Sequence, residues 1–216
     1  MRDLRFRALG VPVTVEPWFW VMSLLLGAFL NPRVLPAWML VVFVSVLVHE
    51  LGHAMVGRSY GLTPEIRLYA FGGLTASRGR RLTPWRGIWL SLAGPGAGFA
   101  LCALFLLLRG LGPEAWVRHP FLGPLLSFGV FVNLWWGLLN LLPVLPLDGG
   151  SVMRSLVQLY VLRPASELPF QISVAVAAVV ATLGFVSNQM VLSILFGWMA
   201  YTNYTDLQRA QRFRSR

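Results

Sequence analysis

The heptapeptide VHELGHA, residues 48–54, ends a long apolar run, LPAWMLVVFVSVL, residues 35–47. Ionisable side chains are costly within hydrocarbon, so their presence here indicates a function. His49 and His53 are four residues apart and therefore project from one face of a helix. This spacing lets both imidazoles bind one Zn²⁺, and the neighbouring Glu50 can accept a proton from water, as in the H-E-x-x-H pattern. The alternative is a satisfied polar patch at a helix end, but two histidines and a glutamate at this spacing favour a metal site.

The composition is typical of a membrane protein. Of the 216 residues, 56% are hydrophobic and 12% are charged, and the mean hydropathy is +0.67. A soluble domain usually carries about 25% charged residues. All 18 basic residues are arginine and the net charge is +10. Because the arginines lie between apolar runs, membrane topology explains them better than nucleic-acid binding, and we expect no nucleic-acid partner.

Apolar runs long enough to cross a bilayer recur along the chain, since a crossing helix needs roughly 20 apolar residues. The uncharged stretch 168–205 would be about 57 Å long as one helix, and GFVSNQ, residues 184–189, divides it into a hairpin. We predict a polytopic α-helical fold that forms a single membrane-embedded domain over residues 1–216. Its six transmembrane helices lie at about 16–30, 36–57, 84–108 and 120–142 and in the two halves of 168–205, with the catalytic core at about 36–150 and a C-terminal helical hairpin at about 168–205.

The arginine distribution predicts the orientation of these spans. With a cytoplasmic N-terminus, 15 of the 18 arginines lie in or beside cytoplasmic segments, and three lie in outer loops. Such a bias is typical of the positive-inside rule. We therefore expect a multi-pass protein of the cell membrane with both termini in the cytoplasm. The motif at 48–54 and the segment LPLDGG, residues 145–150, then lie near the cytoplasmic side.

A third metal ligand is expected, because a catalytic zinc has three protein ligands and one position open for water. His119 falls in an outer loop. Most acidic residues other than Asp148 lie at the termini, beside spans or in loops. Asp148 follows two helix-breaking prolines and precedes two glycines that permit an irregular turn, which could aim its carboxylate inward. We predict that His49, His53 and Asp148 bind one Zn²⁺ per chain. An ordinary interfacial loop aspartate is the alternative for Asp148 taken alone.

Residues 63–77, TPEIRLYAFGGLTAS, differ from the spans. IRLYAF favours a strand and GG permits a turn, so a hairpin is predicted directly after the zinc helix. Its edge could pair with an extended peptide, whereas a plain cytoplasmic loop is an equal alternative. The small residues of AGPGAGFA, residues 93–100, indicate close helix packing. Asn140, close to Asp148 in the chain, could reach a substrate.

These elements together resemble the site-2 protease family of intramembrane zinc metalloproteases. GVPVTVEPWFW, HELGHA, LYAFGGLT, LAGPGAGF and NLLPVLPLDGG occur in this order over about residues 10–150. The resemblance implies a metallopeptidase with Glu50 as the catalytic acid and base. It also implies a small membrane-re-entrant β element after the second span. The expected substrate-binding residues are Asn140, Phe71, Gly72 and Gly73.

The resemblance further implies cleavage of peptide bonds in or near transmembrane segments of proteins in the lipid bilayer. Many relatives carry a PDZ or CBS domain; we expect neither here, so a regulator or adaptor would be a separate protein. Two other functions would use the same residues: a zinc-binding membrane transporter, and a non-catalytic relative that binds membrane helices. A transport site has no need of Glu50 between two ligands, and a silent relative would have lost a ligand or the base.

Overall fold

The structure, a computed structural model, describes residues 3–161 and 167–214. Arg163, which the topology prediction counts as cytoplasmic, lies outside the described residues. The described chain is mostly helical, with one small β-sheet, and a single 3₁₀ turn, Pro32–Val34, precedes α2. The strands are β1 Leu4–Ala8, β2 Val11–Val15, β3 Thr63–Tyr69 and β4 Gly72–Arg78, and the helices are α1 Pro17–Leu26, α2 Leu35–Ser59, α3 Pro84–Leu111, α4 Glu114–Arg118, α5 Leu122–Asn140, α6 Asp148–Tyr160, α7 Leu168–Val186 and α8 Met190–Arg214.

Four of the described helices, α2, α3, α5 and α7, are long and apolar enough to cross a membrane. Large apolar side chains stay exposed along them, as at Leu107 and Leu183, which suits a surface covered by lipid. α1 has ten residues, about 15 Å of helix, and α8 is polar in its C-terminal half. The bounds of α2, α3 and α5 agree to within about three residues with the predicted spans 36–57, 84–108 and 120–142, and the break between α7 and α8 at residues 187–189 falls within GFVSNQ.

The described chain divides into two compact units, of which the first comprises residues 3–81 and 93–138. Its four strands lie in the order β1-β2-β3-β4. β1 pairs with β2 and β3 with β4 antiparallel, whereas β2 and β3 run parallel. The alternating residues of one sheet face are buried in the core of this unit with side chains of α2. This packing fixes the sheet beside the helix that carries the H-E-x-x-H motif.

The β element is larger than the predicted hairpin. Strands β1 and β2 were not predicted, because each has only five residues. In addition, β2, VPVTV, directly precedes the apolar run of α1. The turn between β3 and β4 lies at Ala70 and Phe71, not at the glycine pair. Gly72 and Gly73 instead begin β4, for a reason found in the site below.

The second unit comprises residues 82–92, 139–161 and 167–214. α7 and α8 pack together around a core that includes Val144, Ala177, Phe196 and Met199. Two buried polar side chains hold the segment ahead of Asp148. The Ser173 hydroxyl accepts a hydrogen bond from the Leu145 amide at 3.1 Å, and the Asn203 amide donates one to the Leu145 carbonyl at 2.6 Å.

Asp148 is the first residue of α6, so the predicted irregular turn at the two following glycines is wrong. Both glycines are helical and buried. A Cβ on Gly149 would lie 2.5 Å from the Leu142 carbonyl oxygen, and one on Gly150 would lie 2.6 Å from the Leu145 amide nitrogen. Glycine is required here because the helix start lies directly against the preceding segment of backbone.

Candidate active site

The two histidines of α2 form a close pair in the first unit. His49 and His53 are 3% and 9% exposed, and their Nε2 atoms are 3.2 Å apart. The rings meet edge to face, with centroids 4.9 Å apart. Two nitrogens bound to one tetrahedral zinc at the usual bond length would be about 3.3 Å apart. The pair therefore fits two positions in the coordination sphere of a single ion.

Glu50 is held between helix and sheet. Its side chain is buried, and the Thr75 hydroxyl of β4 lies 2.7 Å from Oε2 and 3.1 Å from the Glu50 backbone oxygen. A hydrogen bond to a carboxylate is stronger than one between neutral groups. Thr75 therefore fixes the orientation of the carboxylate beside the two imidazoles.

Two glycines make room for this arrangement. A Cβ at Gly73 of β4 would lie 2.6 Å from Cδ of Glu50, inside the van der Waals contact distance. A Cβ at Gly94 of α3 would lie 2.8 Å from Nε2 of His49 and would collide with Nε2 of His53. The two Nε2 atoms thus face a part of the α3 surface that carries no side chain.

Gly52 allows the close approach of α2 and α3. A Cβ there would lie 2.9 Å from the carbonyl carbon of Ala93 and from Cβ of Ala97. The small residues at 93–100 thus allow α2 and α3 to pack closely, as predicted.

Tyr69, at the end of β3, lies in the electrostatic field of this site. Burial first, and then the negative charges of Glu50 and Glu16, raise the pKa of its phenol above the ordinary value. The phenol therefore holds its proton to higher pH than an ordinary tyrosine and can donate a hydrogen bond.

The other predicted site residues occupy varied positions. Asp148 is half-buried at the start of α6, and Asn140 is half-buried at the end of α5; both belong to the second unit. Phe71 is 61% exposed in the turn between β3 and β4, with its ring 6.2 Å from that of Tyr69. Gly72 is buried, and its φ of +123° favours glycine.

Sequence reasoning missed Thr75 and Gly94. Thr75 and Gly73 are two residues apart in β4. Residues at this spacing share one face of a strand, so a strand beginning at the glycine pair would have placed both on the same face. Gly94 was interpreted only as a packing residue, because nothing local in AGPGAGFA shows that it lies against the histidines. Asn133, in the same helix as Asn140, has a structural role: its amide donates to Ser45 Oγ at 2.9 Å and to the Gly129 carbonyl at 2.7 Å.

Known proteins share both the sequence pattern and the fold. The model of peptidase family M50 matches residues 37–115 and 114–184. A protein of Synechocystis sp. named "Putative zinc metalloprotease sll0528" is 34% identical over 163 residues, which cover 68% of this chain and 42% of that protein. "Zinc metalloprotease MJ0392" of Methanocaldococcus jannaschii is 25% identical over 195 residues, covering 88% of this chain and 56% of the relative. The chain therefore spans about half the length of these relatives.

A solved structure, "Site-2 Protease from Methanocaldococcus jannaschii", superposes with a TM-score of 0.64 at 22% identity and covers 94% of each chain. This likeness shows a common fold. The family model and the named relatives, together with this common fold, confirm the resemblance to site-2 proteases that the sequence motifs indicated. Because the family model covers more than half of its residues, the chain belongs to peptidase family M50.

Proposed function

We propose that this chain is an intramembrane zinc metalloprotease that hydrolyses peptide bonds in or near transmembrane segments of membrane proteins. The observation that carries the proposal is the buried pair of Nε2 atoms 3.2 Å apart on α2, with the Glu50 carboxylate held beside them by Thr75. Two imidazoles and an oriented carboxylate are the elements that metal-assisted hydrolysis requires. Family membership and the names of the relatives favour zinc over other metals.

One Zn²⁺ per chain would be held by His49, His53 and Asp148. The histidines are supported by the separation of their nitrogens. Asp148 is supported by the donor chemistry, because a carboxylate completes a three-ligand set and leaves one position open. Its place at the start of α6 is fixed by the two glycines that follow it and by the hydrogen bonds of Ser173 and Asn203 to Leu145.

Among the side chains of this chain, Glu50 is the general base and general acid of the proposed reaction. When bound, zinc lowers the pKa of a water molecule and polarises the scissile carbonyl. The Glu50 carboxylate accepts the proton from that water and later passes it to the leaving amine. The Asn140 amide can donate a hydrogen bond to the carbonyl oxygen as negative charge develops there. Thr75 keeps Glu50 from rotating away during both proton transfers.

Strand pairing offers a way to present the substrate. A helical transmembrane segment hides its peptide bonds, so it must become extended before hydrolysis. β4 is the last strand of the described sheet, and its side away from β3 has no neighbouring strand among the described residues. An extended peptide could add to this edge, next to Phe71, Gly72 and Gly73. Since Gly73 adjoins Glu50, such a peptide would pass close to the catalytic carboxylate.

We also propose that the chain crosses the membrane six times, with both termini in the cytoplasm and the active site near the cytoplasmic side. The support is the arginine distribution, together with the four long apolar helices. The remaining two crossings would use α1 with its flanking residues and the apolar half of α8. The β-sheet of the first unit would then be the re-entrant element, and a regulator or adaptor would be a separate protein.

Metal removal tests the proposed reaction directly. We expect the purified protein in liposomes to cleave at least one of a panel of synthetic transmembrane peptides, to lose cleavage when a chelator removes the metal, and to recover it with one equivalent of Zn²⁺. Peptide products are identified by mass spectrometry and metal content by atomic absorption. Zinc flux across the same liposomes without peptide cleavage would contradict the proposal and favour a transporter.

The hydroxyl of Thr75 is expected to matter for turnover rather than for binding. Thr75→Val removes the hydrogen bond to Glu50 Oε2, and a bond to a charged group is worth about 1.5–3 kcal/mol. We expect kcat to fall about tenfold or more, with KM and zinc content unchanged, and Thr75→Ser to retain activity. Thr14→Val is a matched control, because Thr14 lies in β2 on the opposite face of the sheet. Equal effects of the Thr75 and Thr14 substitutions would contradict the positioning role.

A further inference from the structure

The edge strand β4 has two faces with different chemistry. Gly73 and Thr75 face α2 and Glu50. Side chains alternate along a strand, so Leu74, Ala76 and Arg78 lie on the other face, and all three are exposed. We call these three residues the outer β4 row. The row changes from an apolar side chain near the active site to a guanidinium at the far end.

The far end of the outer β4 row is basic. Arg80 and Arg81 follow Arg78 and are also exposed. The nearest acidic side chain in the register is Glu65 of β3, which lies opposite Ala76 and thus diagonal to Arg78. No ion pair of Arg78 with a carboxylate occurs in residues 3–161 and 167–214. Three exposed arginines thus lie within four residues of one another, with Glu65 as the carboxylate diagonal to Arg78, and the region is electropositive.

We propose that Arg78 selects substrates that carry an acidic side chain on the flank of the cleaved segment. The inference rests on the proposed protease function and on addition of the substrate as a strand to β4. A residue directly opposite Arg78 on an added strand would have its Cβ about 4.5–5.5 Å from that of Arg78. An aspartate or glutamate there would pair with the guanidinium, whereas a lysine or arginine would be repelled.

The register also places the selected residue relative to the cleaved bond. The bond to be hydrolysed must lie beside Glu50, and therefore near Gly73 and Leu74. The residue opposite Arg78 is about four or five positions further along the added strand, which at about 3.3 Å per residue is some 13–17 Å. The substrate feature is thus an acidic side chain four to five residues from the scissile bond, on the cytoplasmic flank.

Repulsion contributes as much to this selectivity as attraction. Cytoplasmic flanks of transmembrane segments are usually rich in lysine and arginine. An exposed arginine at the cytoplasmic end of the docking edge therefore disfavours most membrane proteins, and such negative selection is a common route to specificity. Arg78 would protect bystander proteins from cleavage while admitting those with an acidic flank.

The test uses three synthetic transmembrane peptides that differ only at the flank position, which is aspartate, serine or lysine. For the wild type we expect cleavage in the order aspartate, serine, lysine, with about fivefold between the extremes for one exposed charge pair. Arg78→Ala should bring the three rates closer together, with Arg80 and Arg81 accounting for any difference that remains, and Arg78→Glu should reverse the order. Addition of 1 M NaCl should reduce the differences, because exposed charges are then screened.

Arg7→Glu is the matched control. Arg7 lies on the same face of the sheet but on β1, at the opposite edge, about 14 Å away at the usual strand spacing. This is more than the screening length of about 8 Å at physiological salt, so the peptide order should stay as in the wild type. An Arg7→Glu change as large as that of Arg78→Glu would overturn the local role of Arg78.

A second readout separates docking from hydrolysis. In the Glu50→Gln background, an Ala76→Cys substitution places a thiol on the outer β4 row, and each peptide carries one cysteine near its flank. With an added thiol oxidant to accept the two electrons, we expect the rate of disulfide cross-linking to follow the same charge order. Charge-ordered cross-linking with no cleavage by the wild type would contradict the proposed hydrolysis and sustain the role of Arg78. Cleavage and cross-linking at equal rates for all three peptides would overturn the role of Arg78 and leave the hydrolysis intact.

Discussion

Replacement of Glu50 by glutamine is expected to abolish peptide cleavage while the protein keeps its zinc. The amide has nearly the same shape as the carboxylate and can still accept a hydrogen bond from Thr75, but it cannot take a proton from water. General acid–base catalysis typically contributes about 10²–10⁴-fold to a rate. We therefore expect kcat to fall by at least about 10²-fold, measured with the best peptide of the panel in liposomes.

Two measurements make the Glu50 result specific. Zinc content should equal that of the wild type, because Glu50 is not among the proposed ligands. Glu114→Gln should leave cleavage unchanged, since Glu114 is an exposed carboxylate of α4 that forms a surface ion pair with Arg118. Cleavage by Glu50→Gln at the wild-type rate would show that another group transfers the proton. Loss of zinc together with activity would instead give Glu50 a structural part in the metal site.

Replacement of Gly94 by alanine is expected to impair zinc binding. The added Cβ would lie 2.8 Å from Nε2 of His49 and closer still to Nε2 of His53. The methyl group occupies the space in front of the two Nε2 atoms, so the rings must turn away or α3 must move. Overpacking in a well-packed region costs about 1–3 kcal/mol, which corresponds to roughly a 5- to 150-fold weaker zinc affinity. Competition with a chromophoric chelator measures this change.

Gly96 supplies the matched control for Gly94. It lies two residues further along α3, and a Cβ there would meet nothing within 4 Å. Gly96→Ala should therefore keep zinc affinity and thermal stability at the wild-type level. Thermal unfolding of metal-free protein separates a local effect of Gly94→Ala from misfolding. Unchanged zinc affinity in Gly94→Ala would contradict the assignment of the two Nε2 atoms to the metal.

Much of the fold could be predicted from local patterns. Long apolar runs indicated α2, α3, α5 and α7 because a helix in hydrocarbon must satisfy its backbone internally. The length of the uncharged stretch 168–205 required a break, and GFVSNQ, residues 184–189, gave the position of the break between α7 and α8. α6 was missed, because it is short and its glycines at the start indicated a turn. Strands β1 and β2 were missed as well, since a five-residue strand is specified by the partners with which it pairs.

Part of the candidate site could likewise be predicted from local patterns, and part depends on tertiary packing. The pairing of His49 with His53 depends only on helical periodicity, which brings residues four apart to one face, and so the sequence by itself determined it. The sequence also determined the family, because its motifs are contiguous and ordered. Tertiary structure alone decided that Thr75 holds Glu50, that Gly73 and Gly94 clear the space around the carboxylate and imidazoles, and that β4 forms a sheet edge. These contacts join residues far apart in the chain, and their register is set by packing of the sheet and α3 against α2, which no local pattern encodes.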